Sequence, residues 1–232
     1  MKKGEKMKKG KLIVIEGLDG SGKATQTRIL CSRLRELNFN VCKVSFPNYS
    51  EPSSSLVRMY LNAEFGKRPE DVNAYAATSF FAVDRYASFA KLWKSRYEKG
   101  QIIVADRYTT SNAIYQLEKL PKEEWKNYIN WMEDYEYVKL GLPKPDLVIY
   151  LDMPIDVSQS FMSHRYRGKE SCKDLHEKNV AFLKRCQESA MFVSNLLGWN
   201  IVKCSDGENP KLIDDIHESV FSLVKKVILN KC

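Results

Sequence analysis

One stretch near the amino end limits what this chain can fold into. From Lys11 to Thr27 it reads KLIVIEGLDGSGKATQT, an apolar run that ends in a glycine-rich turn and continues into helix-forming residues. An apolar run without alternation suits a strand buried on both faces, and glycine gives the backbone the freedom that a tight loop needs. The stretch therefore predicts a strand, a loop and a helix in direct succession.

The loop has the spacing of a phosphate-binding P-loop. Gly17 is followed by four residues and then by Gly22 and Lys23. In such loops, backbone amides and the N-terminus of the next helix surround an anion, and the lysine reaches its outer phosphates. The alternative is a glycine-rich turn that binds nothing. The position between a predicted strand and a predicted helix favours phosphate binding.

The P-loop lacks the hydroxyl residue that usually binds Mg²⁺, but an aspartate at the end of another strand is a candidate ligand. Where the pattern has Ser or Thr after the lysine, this chain has Ala24, with Thr25 next. A second apolar strand, however, ends in Asp106, and an aspartate in that place commonly holds Mg²⁺ beside a P-loop. Many strands end in Asp because it favours turns, so Asp106 is a metal candidate because of the P-loop. We expect Mg²⁺ as the cofactor.

Apolar segments separated by helix-forming stretches predict an α/β fold. The predicted strands are 12–15, 41–46, 102–105, 146–151 and 200–204, and the helix after the P-loop is predicted to end at Leu37. Further helices are predicted at 56–65, 73–99, 122–140, 173–197 and 210–229. This alternation predicts a five-stranded parallel sheet with helices on both faces and ligands at the carboxyl ends of the strands.

Length and composition point to one domain. The chain has 232 residues without a repeat or a low-complexity linker, so we expect one domain over 11–232 after a flexible basic tail at 1–10. Only four apolar residues follow the basic start before Glu16, which predicts neither a signal peptide nor a membrane anchor. The six cysteines include no CxxC pair and are typical of reduced thiols in a cytoplasmic protein.

A net charge of +8 is compatible with two classes of partner. One is nucleic acid and the other is a small polyanionic substrate. Much of the excess lies in the first eleven residues, and no basic stripe interleaved with aromatics occurs elsewhere. Small anions are therefore the expected partners, without nucleic acid.

The predicted helix over 73–99 has two faces of interest. Its expected core stripe consists of Ala82, Tyr86, Phe89, Trp93 and Tyr97. Phe81 and Arg85 lie one turn apart on a neighbouring face, which points an aromatic ring and a guanidinium the same way. Spacing alone would favour a core Phe beside a surface Arg.

A dense basic segment, HRYRGK, occupies 164–169. It is either a solvated loop or a flap that brings Arg165 and Arg167 over bound phosphates. With a P-loop in the same chain, the flap, near 164–174, is the favoured interpretation.

Five pieces in order give the chain a family resemblance. They are IEGLDGSGK at 15–23, Phe46-Pro47, FFAVDR at 80–85, DRYTTSN at 106–112 and the arginine-rich segment at 164–169. From Lys11 to Leu229 the chain resembles the thymidylate kinase family. The resemblance implies a three-layer P-loop nucleoside monophosphate kinase fold, a homodimer, and transfer of the γ-phosphate of ATP to dTMP, giving dTDP.

The resemblance also implies roles for individual residues. Phe81 would stack on thymine, Arg85 would contact the base edge, Asp19 would hold the sugar 3′-OH, and Arg107 would hold the acceptor phosphate. Asn112 and Tyr115 would line the deoxyribose, with Tyr115 where a 2′-OH would go. The implied ATP-binding set is Gly17, Asp19, Gly20, Ser21, Gly22, Lys23, Ala24 and Thr25. The dTMP set is Asp19, Phe46, Pro47, Phe81, Arg85, Arg107, Asn112, Tyr115 and Gln116, and the catalytic set is Lys23, Asp106, Arg107, Arg165 and Arg167.

Two departures from the family pattern matter. Some members carry a basic residue inside the P-loop, but 18–21 here has none, so Arg165 or Arg167 would supply that charge. Ala24 leaves Asp106, phosphate oxygens and water to hold the ion. Rival functions are a kinase for another nucleotide or deoxynucleoside, and an inactive nucleotide-binding regulator. The regulator would have no reason to keep Asp106, Arg107 and an arginine-rich flap together.

Overall fold

The described residues build a single parallel sheet. The computed structural model describes residues 9–159, 174–177, 179–207 and 209–229. The strands are β1 (Leu12–Gly17), β2 (Val41–Ser45), β3 (Ile102–Asp106), β4 (Leu147–Asp152) and β5 (Asn200–Lys203). Their order is β2-β3-β1-β4-β5, and each neighbouring pair is parallel. The predicted fold class is confirmed.

Helices cover both faces of this sheet. They are α1 (Lys23–Glu36), α2 (Ser55–Leu61), α3 (Ala74–Ser88), α4 (Lys94–Glu98), α5 (Thr110–Tyr115), α6 (Trp125–Glu133), α7 (155–159), α8 (Val180–Leu197) and α9 (Ile213–Leu229). Alternate side chains of β1 enter different cores, as expected for a strand. Ile13 packs in one core with Leu30 of α1 and Val220 of α9, while Leu12 packs in another with Trp93.

The helix predicted over 73–99 is interrupted. A wider π turn at Phe89–Trp93 separates α3 from α4, and the expected core stripe is wrong at Tyr86, whose side chain is 45% exposed. Arg85 takes the inward position instead and is buried, not on the surface. Hydropathy assigns an arginine to solvent, so the pattern chose Tyr86 over Arg85 for this one position, whereas Ala82, Phe89, Trp93 and Tyr97 are buried as expected.

Other helix ends differ from the sequence expectation. The helix predicted at 122–140 is α only over Trp125–Glu133 and continues as a π turn at Asp134–Lys139. The helix predicted from 173 begins at Val180, because Asn179 caps it by accepting from the amide of Phe182 at 2.9 Å. Capping by Asn satisfies a free amide at the first turn.

Several composition-based expectations concern only part of the described chain. Cys31, Cys42, Cys186 and Cys204 are free and buried, whereas Cys172 and Cys232 lie outside the described residues. Of the predicted tail, residues 1–8 also lie outside them, and the Gly10 amide donates to the Tyr97 carbonyl at 2.7 Å. Within the described part, no helix has the length and apolar character needed to cross a membrane.

Candidate active site

Strand register brings the P-loop and Asp106 together. β1 and β3 are adjacent, and Ile15 pairs with Asp106. Both strands therefore end at the same edge of the sheet. Strand order reverses beside β1, and α/β folds bind their ligands at such a point. The Phe46 amide donates to the Asp106 carbonyl at 3.0 Å, which fixes the start of the next loop against this edge.

The P-loop needs two of its glycines for steric reasons. At Gly17, with φ 154°, a Cβ would lie 2.9 Å from the Leu151 carbonyl oxygen. Gly22 has φ 86° directly before α1, a left-handed conformation that other residues adopt at a cost. Lys23 opens α1, and its Nζ donates to the Leu18 carbonyl at 2.7 Å. Burial, with Arg107 close by, lowers the pKa of Lys23 to about 8.

A buried carboxylate that the sequence analysis did not single out organises the loop after β3. Glu16 is fully buried at the end of β1. It accepts from the Tyr108 amide at 3.1 Å, from the Thr110 hydroxyl at 2.6 Å and from the Ser111 hydroxyl at 3.0 Å. These bonds hold the loop in place, since a buried carboxylate requires such donors. Its position on an apolar strand was the available signal.

Arg107 occupies the centre of the site. Its backbone is left-handed, with φ 66°, which is uncommon for a residue with a side chain and clusters at functional sites. Its guanidinium pairs with Asp19 and donates to the Gly17 carbonyl at 3.3 Å and to the Tyr115 hydroxyl at 3.2 Å. The Tyr115 hydroxyl in turn donates to Asp19 at 2.9 Å. The family resemblance implies that these residues share one site, and the structure brings them into contact.

The charges in this cluster favour an ionised Asp19. Burial opposes ionisation, but Arg107, Lys23 and the Tyr115 hydroxyl outweigh it and lower the pKa of Asp19 to about 2. Asp19 is therefore a carboxylate at physiological pH, and it can accept hydrogen bonds from a ligand hydroxyl.

Two adjoining cavities share a wall at this cluster. Asp19, Phe46, Pro47, Tyr49, Arg107 and Asp174 line both of them. The larger cavity is also lined by the P-loop from Gly20 to Gln26 and by Asp106, so all the predicted ATP residues except Gly17 line it directly. Gly17 contributes its carbonyl to Arg107 instead.

The smaller cavity collects the residues predicted for dTMP. Besides the shared wall it is lined by Leu61, Phe81, Arg85, Tyr108, Ser111, Asn112, Tyr115, Gln116 and His176. Gln116 is buried, and its Oε1 has no hydrogen-bond partner among the described residues. Buried acceptors are normally paired, so this atom is available to a ligand.

Sequence reasoning did not assign a role to several residues of the cavity walls, among them Tyr49, Asp174 and His176. Asp174 and His176 lie just beyond the basic segment, and Tyr49 lies two residues after Pro47. The His176 ring stacks on Tyr115 at 5.2 Å between centroids and lies 2.9 Å from the Tyr60 hydroxyl. Burial and the nearby Lys119 charge lower the pKa of His176 to about 3, so its ring is neutral. No spacing pattern in the sequence indicates this residue.

The pKa of Asp174 shifts upward, whereas that of His176 shifts downward. Burial and the neighbouring Asp19 charge raise the pKa of Asp174 to about 7.

Arg165 and Arg167, the predicted flap arginines, lie outside the described residues.

The P-loop follows the central strand β1, and Asp106 and Arg107 stand at the end of the adjacent strand β3. Together with the two adjoining cavities, this arrangement is that of a P-loop nucleoside monophosphate kinase. The family model for thymidylate kinase matches residues 15–220. The chain belongs to the thymidylate kinase family. It is an enzyme that transfers the γ-phosphate of ATP to dTMP, giving dTDP.

Similar proteins come from several organisms. A probable thymidylate kinase of Caldivirga maquilingensis is 26% identical over 218 residues, which cover 94% of this chain and 95% of the relative. A thymidylate kinase of Plasmodium falciparum is 29% identical over 220 residues, covering 95% and 92%. The solved structure of thymidylate kinase from Candida albicans is similar with a TM-score of 0.71 and 25% identity, covering 94% of this chain and 92% of that one.

Proposed function

We propose that the larger cavity binds ATP, with its phosphates on the P-loop, and that the smaller cavity binds dTMP. The observation that carries this assignment is the shared wall, in which Arg107 and Asp19 face both cavities. A donor and an acceptor phosphate bound on either side would meet beside Lys23 and Asp106. Reaction between two bound nucleotides needs such a junction, because transfer requires the reacting atoms in line and in contact.

Within the smaller cavity, we propose that different residues bind the base, the sugar and the phosphate of dTMP. Phe81 would stack on thymine and Arg85 would contact the base edge. Asp19, kept ionised by its neighbours, would accept from the sugar 3′-OH, and Arg107 would hold the acceptor phosphate. The other lining residues, Phe46, Pro47, Asn112, Tyr115 and Gln116, would enclose the nucleoside.

The chemistry requires positioning and charge more than proton transfer. An oxygen of the dTMP phosphate, already ionised, forms a bond to the γ-phosphorus while the bond to the bridging oxygen breaks and ADP leaves. No strong general base is needed for such an attack. Lys23 and Arg107 would neutralise charge on the transferred group, joined by Arg165 or Arg167, which is the usual mode of catalysis for this reaction.

The site fits a magnesium ion that would be bound mainly by phosphate oxygens and water, with few protein ligands. Asp106 lies at the carboxyl end of β3 and lines the larger cavity. Among the described residues, no group of three or more His, Cys, Asp and Glu side chains forms a metal site. Mg²⁺ commonly uses one or two carboxylates together with phosphate oxygens and water. We propose that Asp106 is its protein ligand, directly or through water, and that the ion would neutralise phosphate charge.

We also propose a cytoplasmic homodimer, as the resemblance implies. Tyr75, Val83 and Tyr86 are exposed on α3, and such side chains supply apolar surface for a second copy. Sedimentation equilibrium tests the homodimer, and a monomer at every protein concentration would refute it.

The substrate assignment is tested with a panel of monophosphates. With ATP and Mg²⁺, we expect the purified protein to phosphorylate dTMP and to use dCMP, dGMP and GMP poorly, because Phe81 and Arg85, which the resemblance assigns to thymine, line the smaller cavity. Product formation is measured by chromatography. Ready formation of dCDP or GDP without dTDP would favour the rival function, a kinase for another nucleotide.

Tyr115 is expected to exclude ribonucleotides. Its ring packs against His176 and Phe182, and its hydroxyl bonds Asp19 and Arg107. A 2′-OH would meet this rigid side chain, so ribothymidine monophosphate should be a poor substrate, and Tyr115→Ala should narrow the difference in kcat/KM. Tyr115→Phe, which keeps the ring, is the matched control and should preserve the difference. Equal use of both sugars by the unmutated enzyme would refute this role.

A further inference from the structure

A fully buried carboxylate lies behind the base end of the smaller cavity. Glu136 is 0% exposed and does not line the cavity. It belongs to the π turn at Asp134–Lys139, which continues α6. Turns of this kind are rare and are often found at functional sites. Neither hydropathy nor the motifs of the sequence indicate this residue.

Glu136 bonds two side chains that do line the cavity. Arg85 donates to it through Nε at 2.7 Å and through a terminal nitrogen at 3.1 Å, a two-pronged ion pair. Asn112 donates to it through Nδ2 at 2.7 Å. Such paired bonds fix the plane of a guanidinium as well as its position.

These bonds determine which atoms remain for a ligand. Arg85 uses Nε and Nη2 toward Glu136, so its Nη1 donor remains available as far as the described residues are concerned. Asn112 uses its amide nitrogen, and a carboxylate accepts only from that end of the amide. Its Oδ1 acceptor therefore remains available to the nucleoside.

Two aromatic rings also help to hold the Arg85 guanidinium in the orientation that Glu136 sets. Its guanidinium carbon lies 5.6 Å from the ring centroids of both Phe46 and Tyr108. Arg85 itself is 2% exposed, so without Glu136 it would be a buried cation that lacks a partner, which is costly. Within the described part of the chain Glu136 is the only ion-pair partner of Arg85, so the arrangement depends on this carboxylate.

We propose that Glu136 is a positioning residue for nucleobase specificity, acting through Arg85 and Asn112. The inference rests on the proposed function, in which Arg85 reads the base edge. A fixed donor suits thymine, whose O4 accepts a hydrogen bond, and it opposes cytosine, whose 4-amino group donates. Misplacing Arg85 would therefore weaken dTMP binding and leave dCMP binding little changed.

The test is Glu136→Gln, which keeps the shape but removes the charge. One amide oxygen cannot accept all three bonds, so Arg85 and Asn112 lose their fixed positions. We expect KM for dTMP to rise roughly 10- to 100-fold, the worth of a charged hydrogen bond, with a smaller change in kcat. We also expect the preference for dTMP over dCMP in kcat/KM to shrink by a similar factor.

Two further variants separate positioning from folding. Glu133→Gln removes a carboxylate that pairs with Lys144 on the surface and should change neither KM nor the preference. Glu136→Asp keeps the charge but withdraws it by one methylene, and it should give an intermediate loss of preference even if Glu136→Gln does not fold.

The outcomes are distinguishable. A merely structural role would lower activity on dTMP and dCMP by the same factor and leave the preference unchanged in both Glu136 variants, which would overturn the proposal. Failure of the proposed function would show instead in the unmutated enzyme, as absence of dTMP phosphorylation.

Discussion

Replacing Arg107 by alanine is expected to lower kcat/KM for dTMP by about three orders of magnitude or more, the range of an arginine that stabilises a transferring phosphoryl group. Arg107 lies on the wall shared by both cavities and pairs with Asp19. Its loss would remove the acceptor-phosphate contact and would leave Asp19 without its cation. Steady-state kinetics and calorimetric titration with dTMP measure the two effects.

Two variants frame that result. Arg107→Lys keeps a charge but not the planar fork, so it should recover only part of the activity. Arg68→Ala removes a surface arginine that is 73% exposed and pairs with Asp71, and it should change the kinetics little. If Arg107→Ala retained kcat and KM within a few-fold of the unmutated enzyme, the proposed phosphate junction would be wrong.

The second large effect is expected from the flap arginines. The P-loop offers no cation between Gly17 and Gly22, and Lys23 is engaged by the Leu18 carbonyl. Replacing Arg165 and Arg167 together by alanine should therefore lower kcat by about 10³, as for an arginine finger, while ATP binding changes much less. Stopped-time assays give kcat, and titration with a non-hydrolysable ATP analogue gives binding.

A matched control removes the same charge from the same segment. Lys169 and Lys173 replaced together by alanine lower the net charge by two units without touching either arginine. We expect this variant to keep most of its kcat. A near-normal kcat in the double arginine variant would mean that the segment is a solvated loop and that Lys23, Arg107 and magnesium supply the charge alone.

The phosphate end of the site was predictable because its signals are local. A strand, a loop and a helix in direct succession define the P-loop, and the apolar runs predict parallel strands whose carboxyl ends share one edge. The pairing of β1 with β3 itself comes from the structure. Asp106 then lies beside the loop through register alone. The predictions failed in detail where local preference was overridden, as at the π turn that divides α3 from α4.

The end of the smaller cavity that we propose for the base was predictable only through the family resemblance. Spacing alone favoured a surface Arg85, because the burial of an arginine depends on a partner that hydropathy does not show. That partner, Glu136, lies 51 positions further along the chain on a second π turn. His176 reaches Tyr115 across a still longer span. Contacts of this kind depend on tertiary packing and leave no periodic signal.

The central claim is that the smaller cavity holds dTMP with its base against Phe81 and Arg85. A crystal structure of the unmutated enzyme with dTMP, Mg²⁺ and a non-hydrolysable ATP analogue tests it directly. We expect the thymine ring stacked on Phe81, its O4 within hydrogen-bond distance of Arg85, and the dTMP phosphate on Arg107 facing the P-loop. A dTMP molecule bound in the larger cavity, or in the smaller one with its base away from Phe81 and Arg85, would contradict the account.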